Sequence, residues 1–233
     1  EGVRSLASRA TLIANSKFTL ETLRDHGIQE DSVRLKYFGF PPGPVYDGGS
    51  ESEGCKVLFL GRLIDCKGPD LTIKAFCRAL DRGFAGRLVI AGGGEMRTTC
   101  ELLARGSKYS DRIEFLGPVS REEARNLLQS ADIFAAHHRP GPLTNREEAF
   151  GVAVIEAMAH GLPVVGGRSG GVPESVVHEE TGILVAPGNV DAQADAFLRL
   201  ADPDLRRAYG EAGRERVRNH FSPAQEKERL LEI

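Results

Sequence analysis

A chain of 233 residues, with 30 Lys and Arg against 33 Asp and Glu, a net charge of −3 and 41% apolar residues, can bury a core and is not a disordered polyelectrolyte. The balance excludes bulk binding of nucleic acid, which needs a strongly basic face, so any phosphate must be held by a few placed cations and backbone N–H groups. No run approaches the ~18 apolar residues of a membrane span, and no basic segment followed by an apolar one opens the chain as a leader would.

The first elements form a separate group. Thr11–Asn15 reads as a strand, Asn15 or Ser16 can cap a helix over Lys17–Asp25 that Gly27 ends, and Ser32–Tyr37 reads as a second strand. Gly39-Phe-Pro-Pro-Gly-Pro and Asp47-Gly-Gly-Ser then make a linker. One helix cannot cover both faces of a sheet. Residues 1–40 are therefore expected to be the tail of a preceding domain that this chain mostly lacks, 41–53 a linker, and 54–233 one complete domain.

From Lys56 onward, short apolar runs alternate with helical patterns, the signature of a parallel sheet in an α/β fold. Strands are predicted at Lys56–Leu60, Arg87–Ala91, Arg112–Leu116, Asp132–Ala136, Pro163–Val165 and Gly182–Val185. Helices are predicted at Pro69–Leu80, Glu95–Ala104, Arg121–Ser130, Gly151–Ala159 and Pro173–Val177, with Asp191–Leu200, Pro203–Val217 and Pro223–Leu231 after the last strand. Six such strands most often form a doubly wound, Rossmann-like sheet of order 3-2-1-4-5-6, with ligand held beyond the carboxyl ends of strands 1 and 4.

Two loops would flank that crevice. Gly61–Gly68 carries Arg62 and Lys67, a bidentate cation and a point charge suited to a diphosphate. His137–Phe150 is long and polar, ends in Glu147 and Glu148, and runs through Phe150 and Gly151 into a helix. The first N–H groups of that helix, at Phe150, Gly151 and Val152, can take a phosphate, and Gly151 lets it approach. Glu148 and Glu156 would meet different parts of an elongated ligand. Gly92, Gly93 and Gly94 follow strand 2 without the third glycine of a dinucleotide fingerprint, and no P-loop occurs. Glycine is in excess throughout, 27 residues or about 12% against a usual ~7%, which predicts close backbone approaches.

Taken together, Val57-Leu-Phe-Leu-Gly-Arg-Leu-Ile-Asp-Cys-Lys-Gly68, Glu148-Ala-Phe-Gly-Val-Ala-Val-Ile-Glu156 and Gly170-Gly-Val-Pro-Glu174 with Thr181-Gly-Ile-Leu-Val185 resemble, in order, the carboxyl-terminal donor-binding domain of GT-B retaining glycosyltransferases, family 4. The segment from Ile13-Ala-Asn-Ser-Lys to Gly39-Phe40 likewise resembles the end of that family's acceptor domain and the crossing between domains. The resemblance implies a donor that is a nucleotide-diphospho-sugar (UDP-, GDP- or ADP-sugar), a glycan or lipid-linked acceptor, no metal and no other cofactor. It assigns the diphosphate to Arg62 and Lys67, catalysis to these two with Glu148, sugar hydroxyls to Glu148, ribose to Glu156, phosphate to backbone near Phe150 and Gly151, and the borders of the base to Gly92–Gly94 and Gly117–Val119. Gly61 and Val152 complete the candidate binding residues.

Other readings stand beside these. The chain could bind nucleotide without transferring sugar, for want of an acceptor domain, or belong to a sugar-nucleotide epimerase. His137 and His138 are read as pocket-lining or packing residues before metal ligands. Glu174 is read as either a helix-start acid or a ligand contact. Arg206, Arg207, Arg214, Arg216 and Arg218, interleaved with glutamates, read as a solvated face, with peripheral membrane contact as the alternative. Cys55, Cys66, Cys77 and Cys100 lack paired spacing and fit a reducing, cytoplasmic setting, at the inner face of a membrane if the acceptor is a lipid.

Overall fold

The computed structural model describes residues 10–43 and 54–232. Residues 44–53 of the expected linker, 1–9 of the expected tail, and Ile233 lie outside the described residues. The larger unit is a six-stranded parallel sheet made of β3 (Cys55–Leu60), β4 (Gly86–Ala91), β5 (Ile113–Gly117), β6 (Ile133–Ala136), β7 (Val164–Gly167) and β8 (Gly182–Val185). Its order is β5-β4-β3-β6-β7-β8, the predicted 3-2-1-4-5-6, and every neighbouring pair is parallel. The order reverses between β3 and β6, where Val57 pairs with Ile133.

The central strands are mostly apolar, because helices cover both faces and only Lys56 interrupts the run. Val57, Leu58 and Phe59 of β3 and Ile133–Ala136 of β6 are buried. On one flank α2 (Pro69–Asp81) packs along α7 (Val190–Arg199), where Phe76, Phe84 and Phe197 meet with ring centroids 6.0–6.4 Å apart. On another, α5 (Val152–Ala159) lies against α8 (Pro203–His220). There Gly210 brings helix backbone onto the Gly161 carbonyl, leaving no room for a Cβ.

Helix starts follow the caps. Ser120 and Glu123 form a capping box for α4 (Arg121–Ser130), and Ser222 with Gln225 forms another for α9 (Pro223–Leu231). Four helices start elsewhere than predicted: α5 at Val152, one residue later, α7 at Val190, one residue earlier, and two more. The third, α3, spans Arg97–Arg105 rather than starting at Glu95, because Gly92–Met96 is drawn into a turn in which the Met96 N–H donates to the Leu63 carbonyl. The short α6 is Val172–Ser175, one residue earlier and shorter than predicted.

The smaller unit pairs β1 (Leu12–Ala14) with β2 (Val33–Leu35) in parallel, linked by α1 (Lys17–Asp25), which Ser16 caps at the Thr19 N–H. Its core is Ala14, Ile28 and Val33, separate from the main core. Contacts with α8 and α9 tie it down. Lys36 reaches Glu226 at 2.5 Å, the Gly39 N–H donates to Glu226, and the Phe40 N–H donates to the Phe221 carbonyl. Tyr37 stacks on Phe150 at 5.7 Å and meets Phe221 edge-on at 5.4 Å.

Candidate active site

The ladder of the sheet runs past its carboxyl edge. The Gly61 N–H donates to the Ala91 carbonyl and the Gly92 N–H to the Gly117 carbonyl, so the loops after β3, β4 and β5 stay in register as they leave the sheet. They touch backbone to backbone. A Cβ on Gly92, whose φ is +138°, would stand 1.9 Å from the Gly61 carbonyl oxygen, and one on Gly68 2.2 Å from that of His137. This locates part of the glycine excess: the loops pack at a distance no side chain permits.

The loop after β3 makes a 3₁₀ turn over Asp65–Lys67, and Gly68, at φ +56°, turns it into α2. Lys67 is thereby aimed across the crevice at Glu148, with Nζ–Oε2 2.5 Å and both side chains mostly buried. The other Glu148 oxygen accepts from the Gly151 N–H at 3.1 Å. Burial alone would raise the Glu148 carboxyl, but the Lys67 ammonium and these hydrogen bonds outweigh it and hold the group below the ordinary carboxylate range. The adjoining Glu147 is engaged elsewhere, on the Ser169 hydroxyl at 2.6 Å and the Gly170 N–H at 3.0 Å. The two neighbouring acids therefore hold different loops.

Gly151 sits left-handed at φ +84° and starts α5, whose first N–H groups have no carbonyl a turn before them. Phe150 is buried and Val152 exposed. Glu156 lies one turn further on the face of Val152, about 6 Å along the axis. It is half-buried, and desolvation raises its carboxyl while the Arg121 cation opposes the shift. Arg62 is exposed and has no hydrogen-bond or ion-pair partner among the described residues. The fold therefore brings together Gly61, Lys67, Glu148 and Gly151. Gly92, Gly93 and Gly94 line the same edge, with Arg62 and Glu156 on its borders.

Asp65 is the residue that sequence reasoning missed. Its buried carboxylate accepts from the Cys66, Leu143 and Thr144 N–H groups and the Thr144 hydroxyl, at 2.7–2.9 Å, and these bonds lower its acidity range against the opposing effect of burial. Arg139 adds a fork onto Asp70 at 3.0 and 3.1 Å and a bond to the Asp65 carbonyl. The loop from His137 to Arg146 is thus pinned to the loop after β3. A buried Asp among apolar neighbours, in Leu63-Ile-Asp-Cys, was the available signal.

His137 and His138 are buried, as packing residues should be. The His137 Nδ1 meets Gln193 at 2.7 Å and its Nε2 accepts from the Gly188 N–H at 2.8 Å, so neither nitrogen is left for a metal. Burial, with the nearby Lys67 charge, pushes His138 far below the ordinary imidazole range and keeps it neutral. Among the described residues no group of three or more His, Cys, Asp or Glu side chains is placed to hold a metal ion.

Two expectations are corrected. Glu174 does not serve its own helix: its carboxylate accepts from the Lys17 and Phe18 N–H groups of α1 and from the Tyr37 hydroxyl. The arginines of α8 are not one solvated face. Arg206, Arg214 and Arg216 donate to backbone carbonyls of Leu200, Gly43 and Ser175, and Arg207 pairs with Asp204.

The family described as Glycosyl transferases group 1 matches residues 47–216. A GDP-mannose-dependent alpha-(1-6)-phosphatidylinositol monomannoside mannosyltransferase of Mycobacterium tuberculosis is 38% identical over 162 residues, 69% of this chain and 42% of that protein. A D-inositol 3-phosphate glycosyltransferase of Corynebacterium diphtheriae is 35% identical over 235 aligned positions, 92% of this chain and 53% of that protein. This chain spans about half the length of the curated relatives it matches. The fold is shared with Anabaena HepE, solved in complex with UDP-glucose, at a TM-score of 0.81 and 23% identity over 99% of this chain and 66% of that one. The doubly wound sheet, the order of its motifs and the extent of the match agree: the chain belongs to the glycosyl transferases group 1 family.

Proposed function

We propose that the crevice at the carboxyl ends of β3 and β6 binds a nucleotide-diphospho-sugar, and that the protein carrying this chain transfers the sugar to a hydroxyl of a glycan or glycolipid with retention at the anomeric carbon. The observation that carries this is the meeting of Lys67, Glu148 and the start of α5 at one point, beside the exposed Arg62. Diphosphate oxygens would lie between these cations and the Val152 and Ala153 N–H groups. Glu148 would accept from sugar hydroxyls and Glu156 from those of the ribose. Gly92–Gly94 and Gly117–Val119 would border the base.

On this reading the bond from the anomeric carbon to the diphosphate oxygen breaks, and the acceptor oxygen takes its place on the same face. The acceptor proton passes to a phosphate oxygen. Charge grows on the leaving diphosphate, and preorganised cations and helix N–H groups in a water-poor site stabilise it most at that moment. Glu148 is held ionised by Lys67, so it can accept hydrogen bonds from the sugar without titrating near neutrality. Relatives named for GDP-mannose and phosphatidylinositol mannoside support a lipid-linked acceptor at a membrane surface. No helix among the described residues is long and apolar enough to cross a membrane.

Titration with UDP, GDP and ADP by calorimetry tests the donor site. One of the three should bind, and Arg62→Ala or Lys67→Ala should each weaken it by about 10- to 100-fold, the loss of one charge-assisted contact. Binding by none of them, or equal binding by both variants, rejects the reading.

A further inference from the structure

Glu174 joins the two units of the molecule at a point that leads directly into the crevice. One carboxylate oxygen accepts from the Phe18 N–H at 2.8 Å, and the other from the Lys17 N–H at 2.8 Å and the Tyr37 hydroxyl at 2.9 Å. Ser16 serves the next N–H, at Thr19. The opening turn of α1, a nine-residue helix, is therefore satisfied jointly by its own serine and by an acid more than 150 positions away. A negative charge there also answers the positive end of the helix dipole.

On its other side Glu174 is built into the wall of the crevice. Arg216 clamps the backbone at this point, donating to the Glu174 carbonyl at 2.8 Å and the Ser175 carbonyl at 2.7 Å. The Ser175 hydroxyl donates to the Phe150 carbonyl, and the Gly171 N–H donates to the Glu148 carbonyl at 2.8 Å. Gly170 and Gly171 lie so close to the Glu148 and Ala149 carbonyls that a Cβ would stand 2.1 and 2.2 Å away. Tyr37 closes the circuit, because the side chain that donates to Glu174 also stacks on Phe150. From the α1 N-terminus to Glu148 and Gly151 each link is a hydrogen bond, a backbone contact or the Tyr37–Phe150 ring stack.

We propose that Glu174 is a positioning residue for sugar transfer. It seats the smaller unit on its carboxylate and so sets the placement of the Glu148–Gly151 segment that meets the donor. The proposal rests on the donor site proposed above. A donor held by Glu148 and the start of α5 is sensitive to this seat, since a displacement of ~1 Å at a reacting group costs about 100-fold in rate.

The test uses this chain with Glu174→Gln, Glu174→Ala and Tyr37→Phe. The readouts are amide exchange at Lys17 and Phe18, NMR positions of the Gly151 and Val152 amides without ligand, and affinity for nucleoside diphosphate. Glu174→Ala should speed exchange at Lys17 and Phe18 about 5- to 30-fold, move the Gly151 amide signal, and raise the nucleoside diphosphate Kd about tenfold. Glu174→Gln, which keeps one acceptor oxygen, and Tyr37→Phe, which keeps the ring, should give smaller changes in the same direction. Faster exchange at α1 with an unmoved Gly151 amide and an unchanged Kd would make Glu174 a helix cap only, and overturn the proposal. The amide positions are read without ligand, so a chain that binds no nucleotide rejects the donor site while the Gly151 signal still decides on Glu174. If Glu174→Ala does not fold, the Gln and Phe variants decide on the same two signals.

Discussion

The two units of this molecule use the same local grammar, parallel strands joined through a helix, with opposite results. The larger one stacks six strands between helices and buries whole strands such as Ile133–Ala136. The smaller one has two strands, one helix and a core of Ala14, Ile28 and Val33. Hydrophobic stabilisation scales with buried apolar area, so the first holds itself together and the second depends on its contacts with the rest. Those contacts are few and directional: the polar ones of Glu174 on α1 and of Glu226 on Lys36 and the Gly39 N–H, and the ring contacts of Tyr37 with Phe150 and Phe221. A self-sufficient core can support a site. A unit held by a few placed bonds can report its position to one.

This contrast can be broken at its strongest point first. Phe76→Ala empties a fully buried site between Phe84 and Phe197 and should cost the larger unit about 3–5 kcal/mol in urea unfolding. A loss below 1 kcal/mol would mean that the ring cluster is not part of a tightly packed core.

Acid sharpens the comparison next. His137 and His138 are both held below the ordinary imidazole range by burial, so the unfolded chain takes up protons that the folded one refuses. Stability of the larger unit should therefore be complete above pH ~6.5 and fall below it, by up to about 1.4 kcal/mol per pH unit for each histidine. Glu148 and Asp65 act in the same direction but at lower pH. Their lowered carboxyls stabilise the fold above the ordinary carboxylate range and are lost only as pH falls through it, so the histidine window is separate. Denaturant midpoints measured from pH 7.5 to 5 check this, and a flat profile that His138→Asn does not alter would refute it.

The smallest effect belongs to the smaller unit. Ile28→Val removes one methylene from its core and should cost about 1 kcal/mol, seen as faster amide exchange in β1 and β2 with the six-stranded sheet unaffected. A matching change across the whole sheet would mean that the two units unfold together.

The architecture was legible because it is written in local pattern. Alternating apolar runs and capped helices specify a parallel sheet, and handed crossovers with short loops leave few orders for six strands. The candidate site was legible to the extent that chemistry lies at strand ends: Lys67 and Glu148 stand 81 positions apart, yet each follows a strand that flanks the switch in order. The partners of Asp65 and Glu174 escaped for one shared reason. An acid's partner is set by whichever backbone N–H groups arrive beside it, and for Asp65 these come from residues 143–144, for Glu174 from 17–18. The start of α3 was misplaced likewise, because Met96 is drawn to the Leu63 carbonyl rather than into its own helix.

By itself the sequence determined the α/β class, the order of the strands, the glycines at their ends and the charged residues placed there, since these follow from periodicity, turn chemistry and charge. Only the tertiary structure decided which acid pairs with Lys67, which one pins the crevice loop and which one seats α1. Hydrogen bonding acts over about 3 Å, and distances that short between remote parts of a chain exist only once the sheet has assembled.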